Sequence, residues 1–483
     1  LTAFVVGSVL PLAAQKKVEY VEYDLPNGVH VILHEEHATP IVAVSVMYHV
    51  GSKNETPERT GFAHFFEHLL FEGSTNIKRG EYSELVEKNG GALNANTSQD
   101  RTYYYEILPS NQLELGLWLE SERLLHAKVD QTGVETQREV VKEEKRQRVD
   151  NQPYGSFMEN MFVRAYKSHP YNWVPIGSME HLDAAQEIDY VNFYRTFYVP
   201  SNAVLSIAGD INIEETKKWI EKYFASIPKG EAINLYRDYE NLSDDTFMTK
   251  YNVPRSAFNA NDFLNSKDPK AKALIKEYSA RTVKIPRPAA APEPINGVVR
   301  DTVYDNIELP GVFFGYKFPK ETDKDFAALE MLNSVLSGST SSRMNKNIIE
   351  KKQEAMFAFS FAFNMEDPGL GLVAAVASMG TPVEKLEASL DEEIRKIQNE
   401  LITVEEFEKI RNQFENQIVS SNSSVAGIAE NLAQNYMYFG NTALTNEQMQ
   451  RYMSVTREDI QRVAKKYLTQ DNRIILYYLP KAK

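Results

Sequence analysis

The 483-residue chain contains no cysteine, which excludes a disulfide framework, a thiolate nucleophile and any metal site built on sulfur. A transition metal would have to sit on histidine, aspartate or glutamate. Basic residues are in deficit: 53 lysines and arginines against 67 acidic residues leave a net charge of −14. Such a surface repels a phosphate backbone, so no nucleic-acid partner is expected. Long hydrophobic runs are missing too. Residues 1–14, with Phe4, Val5, Val6, Val9, Leu10 and Leu12, match a signal-peptide core and fall short of the roughly 20 residues a transmembrane helix needs. No transmembrane segment is expected, and the apolar run places the protein in the periplasm or outside the cell; without export it is cytoplasmic. Histidine, finally, is absent from the second half of the chain, all nine lying between His30 and His181.

What is present is an ordinary globular composition, 42% hydrophobic and 25% charged, on a chain long enough for two to four domains of about 100–200 residues. From Val18 to Pro228, β-branched runs such as Val29-His30-Val31-Ile32-Leu33 alternate with helix-period stretches at 62–71 and 134–149, an α+β pattern. The order recurs after Pro294: a strand at 312–316, a helix at 326–336, a strand at 372–377. Thr381, Pro382 and Glu384 then read as N-cap, N1 and N3 of a further helix. Both halves end alike, Phe193-Tyr194-Arg195-Thr196-Phe197 before one strand and Val463-Ala464-Lys465-Lys466-Tyr467 before another, and an internal duplication explains the likeness. Between them a polar, charge-mixed stretch leads into Pro286, Pro288, Pro292 and Pro294, a stiff extended linker.

The chemistry concentrates in Gly61-Phe62-Ala63-His64-Phe65-Phe66-Glu67-His68-Leu69-Leu70-Phe71. Positions 62, 65, 66, 69 and 70 make an apolar stripe, leaving His64, Glu67 and His68 together on the other flank. At about 100° per residue the two imidazoles differ by about 40°, so both can reach one ion with the carboxylate beside it. A bare His pair at this spacing is usually a solvated face; a glutamate between them with no Lys or Arg on that flank favours a metal site. In this order of residues Glu67 can take the proton of an attacking water. For a third ligand the helix at 134–149 offers Glu144, which shares an inward stripe with Gln137, Val140 and Val141, whereas Glu139 and Glu143 fall outward among Arg138, Lys142 and Arg146.

The run from Thr60 to Gly73 resembles the signature of the pitrilysin/insulysin (insulinase-like) zinc peptidases, in the short branch that includes the mitochondrial processing peptidase. The resemblance continues through Gln137-Arg138-Glu139-Val140-Val141-Lys142-Glu143-Glu144, Gly90-Gly91-Ala92-Leu93-Asn94-Ala95-Asn96-Thr97, His169-Pro170-Tyr171 and Tyr198-Val199-Pro200-Ser201-Asn202. It implies one Zn²⁺ per chain held by His64, His68 and Glu144, with Glu67 catalytic. It also implies two homologous α+β domains, antiparallel-rich sheets flanked by helices, that form half of a clamshell chamber. Residues 1–15 are then a signal-peptide remnant, 16–228 the zinc-bearing domain, 229–293 an insertion with the proline-rich linker, and 294–483 a second domain without metal. Peptide substrates would add as a strand to the segment holding Asn94, Ala95 and Asn96.

Two departures from the family stand out. Gln137 replaces a second glutamate and can act only as a hydrogen-bonding neighbour of the ligands. Where catalytically complete relatives carry a substrate-holding Arg and, seven residues later, a Tyr, this chain has Ile349 and Met356. The expected activity is hydrolysis of peptides or unfolded polypeptides, with a homologous partner subunit supplying the Arg and Tyr; the alternative is a non-catalytic structural or assembly subunit. If the apolar run is a signal, N-terminal sequencing of the exported protein should begin near Gln15, and a cytosolic protein retaining Leu1 would refute export.

Overall fold

The computed structural model describes residues 17–289 and 293–482, so the stretch read as a signal remnant lies outside the described residues. Two mixed sheets organise the chain. The first contains β1 (Val21–Asp24), β2 (His30–Glu35), β3 (Ile41–Tyr48), β4 (Ala92–Thr97), β5 (Thr102–Pro109) and β6 (Ala203–Gly209), in the order β1-β2-β6-β3-β5-β4. The second contains β7 (Val298–Asp305), β8 (Gly311–Lys317), β9 (Ala355–Ala362), β10 (Leu370–Ala377) and β11 (Arg473–Pro480), in the order β7-β11-β8-β10-β9. Each has one parallel pair, β2 with β6 and β7 with β11, and is otherwise antiparallel. Without β1, the two orders map onto each other strand for strand. The duplication is therefore present in the topology, and both halves have the expected α+β architecture.

Period-two alternation assigns each strand a front and a back. Val31, Leu33, Val42, Val44 and Val46 face a core built with the helices Phe62–Leu69, Leu113–Leu125, Glu187–Phe197 and Ile213–Phe224, while Ile32, Ala43 and Met47 face the other way. In the second sheet Val312, Phe314 and Ile475 meet the helices Phe326–Ser337, Val383–Asn399 and Arg457–Tyr467, and Phe313, Ile474 and Leu476 point to the back. The back faces are covered by exchange. Helix Val425–Phe439, from the second half, lays Ile428, Ala429, Leu432 and Ala433 on the first sheet. Helix Phe157–Ala165, from the first half, lays Met161, Phe162 and Ala165 on the second. Met161 and Phe162 are fully buried, and at about 1.5–3 kcal/mol each they alone hold that helix down by several kcal/mol.

A buried charge cluster fastens the same seam. The Lys53 ammonium, 3% exposed, lies 2.8 Å from Asp100, 2.5 Å from Glu366 and 3.4 Å from Asp367. Burial works against its charge, but these three carboxylates hold its pKa above the ordinary lysine value. His49 bonds Glu366 at 2.8 Å and His169 bonds Asp367 at 3.2 Å, so carboxylates from the second half are clasped by three bases from the first.

The charge-mixed stretch after residue 229 folds into the helices Ala232–Asn241, Asp244–Tyr251 and Pro269–Ala280, with Phe247, Phe258 and Phe263 in a core of their own. Arg237 ties it to the first half by donating to the carbonyls of Leu124 (2.7 Å) and Tyr198 (2.6 Å). The linker is pinned by Arg287, which donates to the His49 carbonyl and to Asn202. One boundary differs from the sequence expectation. Pro382, extended at ψ 147°, is itself the N-cap of Val383–Asn399, so Thr381 sits one residue too far out to cap it. No helix among the described residues is long and apolar enough to cross a membrane.

Replacing Lys53 by Met strands three carboxylates in the seam. Loss of one partner from a buried ion cluster costs about 3–5 kcal/mol, and urea unfolding should show a fall of that size; a change below about 1 kcal/mol would mean the cluster does not hold the halves together.

Candidate metal centre

The helix Phe62–Leu69 has only eight residues, too few to persist on intrinsic propensity, since isolated helices below about 12–15 residues are marginal. Its apolar stripe provides one anchor: Phe62, Phe65, Phe66 and Leu69 are buried, with Phe62 and Phe66 against the rings of Tyr190 and Phe193. Its ends provide the others. Gly61 turns into the helix at φ 93° against Gly177 at φ 65°, and a Cβ on Gly177 would stand 2.3 Å from the Gly61 nitrogen. The buried Glu55 carboxylate accepts from the amides of Gly61 (2.9 Å) and Ala63 (2.8 Å). At the other end the buried Arg123 guanidinium donates to the Leu70 carbonyl at 2.6 Å, backed by Glu120 and enclosed by the rings of Phe71, Tyr82 and Tyr104. Burial pushes the Glu55 carboxyl up to about 8 against the pull of these amide bonds, so it acts at the N-terminus as an acceptor for orphan amides, while the Arg123 charge at the C-terminus complements the helix dipole.

On the helix flank the ligating atoms of His64, Glu67 and His68 lie within 4.8 Å of one another. The helix Gln131–Lys145 delivers Glu144, whose Oε2 is 3.0 Å from His68 Nε2 and 3.5 Å from His64 Nε2. Two ring nitrogens and one carboxylate oxygen thus converge on a single point, the donor set of a His₂Glu zinc site with room for a further ligand. Burial, and then the neighbouring His68, push the His64 pKa down to about 4, which leaves its imidazole neutral at pH 7 with a lone pair free. The hydrogen bond from His68 is the main cause that holds Glu144 below the usual carboxylate range. Burial raises Glu67 above its ordinary value, opposed by the Thr97 hydroxyl and His68; a raised carboxyl nearer neutrality is the better base and acid.

Glu143 lies outside this group, exposed and bonded to Arg146 and Gln147. Val140 also departs from the expected inward stripe: it is 43% exposed, about 100° around the helix from the fully buried Val141. The inward line runs instead through Val134, Gln137, Val141 and Glu144. Gln137 donates to Glu72 rather than to a ligand. Arg148, one turn beyond Glu144, forms an ion pair with its second oxygen at 2.7 Å, a contact that i,i+4 spacing could have suggested. Glu55 and Arg123 had no such signal, one sitting in a loop and the other in an otherwise leucine-rich helix.

Asn94, Ala95 and Asn96 occupy β4, which pairs only with β5 and leaves its other edge open. A cavity of about 320 Å³ joins that edge to the centre, lined by Glu67, His68, Phe71, Leu93, Asn94 and Ala95. Ile349 packs against the second core, and Met356, on the other edge strand β9, is 65% exposed. Nearby donors are committed elsewhere: Arg343 forks onto Glu406 at 2.9 and 3.0 Å, and the Tyr316 hydroxyl is buried against Arg473.

Known proteins resemble this chain in sequence and in fold. Residues 30–173 match the family model described as insulinase (peptidase family M16), and residues 189–414 match that of the peptidase M16 inactive domain. The chain is 30% identical to zinc protease PqqE of Helicobacter pylori over 459 residues, covering 94% of this chain and 91% of that one. It is 23% identical to a probable mitochondrial-processing peptidase subunit beta of Arabidopsis thaliana, covering 92% and 75%. The crystal structure of a protease from Helicobacter pylori superposes with a TM-score of 0.79 at 26% identity, covering 96% of this chain and all of that one. The periplasmic protease PqqL of Escherichia coli shares the fold at TM-score 0.68 and 16% identity, with this chain spanning 47% of it.

The convergence on Glu144 has a direct consequence for metal affinity. Glu144→Gln should weaken zinc binding by more than the about 10–100-fold that loss of an outer partner costs, and Glu143→Gln should leave it unchanged, as read by competition with a chromogenic chelator. Equal losses would remove Glu144 from the ligand set.

Proposed function

The chain belongs to the insulinase family of peptidases, M16, and on that premise we propose that it is a zinc-dependent endopeptidase acting on peptides or unfolded polypeptides. The observation that carries the reading is the meeting of His64 Nε2, His68 Nε2 and Glu144 Oε2 beside Glu67 and the open edge of β4. When bound by His64, His68 and Glu144, zinc supplies the Lewis acidity that polarises a peptide carbonyl. An extended substrate segment pairs with β4 through backbone hydrogen bonds, which discriminate little between side chains. Glu67 takes the proton of the attacking water and returns it to the departing amine. The neutral His64 needs to lose no proton before ligating, and the clamped helix keeps the spacing of His64 and His68 through the reaction.

A homologous partner completes the site in this proposal. Ile349 and Met356 cannot donate a hydrogen bond to a tetrahedral oxyanion, and loss of one such donor typically costs about 10²–10³ in rate. The partner would face this chain across the chamber and present the missing Arg and Tyr. The reading of residues 16–228 as the zinc-bearing domain and 294–483 as its metal-free counterpart belongs to the same proposal, as does location in the periplasm or outside the cell. The same lack of donors favours a second reading, a structural or assembly subunit.

The variant Glu67→Gln separates the two. It should retain zinc by elemental analysis while cleavage of a quenched peptide, measured with the homologous partner present, falls about 10²–10⁴-fold. Full activity of Glu67→Gln would overturn the mechanism. Full activity of the native chain alone would overturn the two-subunit proposal, and zinc without cleavage under any pairing would establish the structural reading.

A further inference from the structure

Away from the metal centre, a cavity of about 630 Å³ opens among helices of the second half. Its walls come from Val404–Ser421, Val425–Phe439 and Leu444–Met453 and from the segment leading into Phe326–Ser337. This volume is many times the roughly 30 Å³ share of one water molecule, so its natural occupant is an organic group rather than a bare ion. Three carboxyls stand in the wall, Glu321, Glu330 and the solvent-exposed Glu447. Glu330 is satisfied, accepting from the Tyr452 hydroxyl and from Asn364 at 3.4 Å. Glu321 is not: its Oε2 is shut off from solvent and has no hydrogen-bond partner among the described residues, and the neighbouring Thr322 hydroxyl is likewise unpaired.

The cation lining the cavity does not supply that partner. Arg451 donates to the backbone carbonyls of Glu321 (2.6 Å) and Asp323 (3.4 Å). An unpaired acceptor in so enclosed a place costs roughly 1–3 kcal/mol or more, a cost that a bound donor removes. Around it Gln417, Gln434, Gln448 and Gln450 line the cavity with amides that make no side-chain hydrogen bond among the described residues. Each amide both donates and accepts, the complement of a peptide group. Excess negative charge opposes an anion, and the unpaired Glu321 and the amides call for a polar group, while Phe414, Ile418, Phe439 and Leu444 offer contact to its aliphatic stem.

We propose that this cavity binds a guanidinium or primary ammonium group, with Glu321 as the anchoring carboxylate. The chemistry admits two sources, a basic side chain on a polypeptide or a free amine. Burial, and then Glu330, push the Glu321 carboxyl up to about 7; Asp100 adds to this, and Arg451 and Arg101 oppose it. Binding of a cation requires the ionised carboxylate, so occupancy releases a proton and affinity rises with pH through about 7.

The test is isothermal titration of the full chain, carrying Glu67→Gln so that no probe is hydrolysed. Three probes are used: the blocked tripeptide acetyl-Gly-Arg-Gly-amide, its citrulline counterpart, which keeps the shape and loses the charge, and agmatine. The expected result is binding of a guanidinium probe at least tenfold tighter than citrulline. Its affinity should rise about tenfold from pH 6 to pH 8, as the ionised fraction of a group with pKa about 7 does. Both the preference and the pH dependence should disappear in Glu321→Gln, whose folding is checked by its unfolding midpoint. Tighter binding of the tripeptide than of agmatine assigns the ligand to polypeptides, and the reverse assigns it to free amines. Equal affinity for citrulline, a flat pH profile, undiminished binding in Glu321→Gln, or no binding of either guanidinium probe would overturn the proposal. None of these readings depends on peptidase activity.

Discussion

Everything at the metal centre depends on a helix too short to hold itself. Phe62–Leu69 is fixed because Glu55 takes its first amides and Arg123 its last carbonyl, with four apolar side chains clamped between. The cost of burying Arg123 is offset by the helix end of opposite sign and by Glu120, and the cost of burying the Glu55 carboxyl by the amides it accepts from. His64 and His68 inherit their spacing from this clamp. Glu144 arrives from a separate helix, yet it meets both imidazoles because Val134 and Val141 seat that helix on the same core. The spacing of these candidate ligands is thus a by-product of core packing and of the capped helix ends, not of contacts among themselves.

What could be read in advance was whatever is local or periodic. The i, i+3, i+4 relation of His64, Glu67 and His68 needs only helical geometry, and the seven-residue step from Gln137 to Glu144 keeps them on nearly one line. Val140 falls off the line because a three-residue step drifts about 60° from Gln137, away from the side on which Val141 lies. Alternation in β2 and β3 marks two buried faces, but nothing in it states that the helix at the back comes from more than 200 residues away. Long-range placement also hides the buried Lys53, Glu55 and Arg123. Composition assigns such residues to the surface, and only the assembled seam and helix ends supply the partners that reverse that preference.

The duplicated halves show how far one topology can diverge in chemistry. Helix Phe326–Ser337 occupies the place between β8 and β9 that Phe62–Leu69 holds between β3 and β4. It buries Leu329, Met331, Leu332, Val335 and Leu336 and offers no histidine. The second half has kept the sheet order and the open edge strand, while its helix packs the core on one side and presents Glu330 to the cavity on another. Its polar features lie in the seam with the first half and in the cavity around Glu321.

The exchanged helices bear on how material could enter and leave an enclosed space. Flexing one half against the other would peel Val425–Phe439 from the first sheet and Phe157–Ala165 from the second, uncovering two apolar faces while it broke the Lys53 cluster. Bending along this seam is therefore costly. Under the two-subunit proposal, opening at the contact between subunits would leave both covered faces intact, so the strength of that contact would set how often the proposed compartment opens.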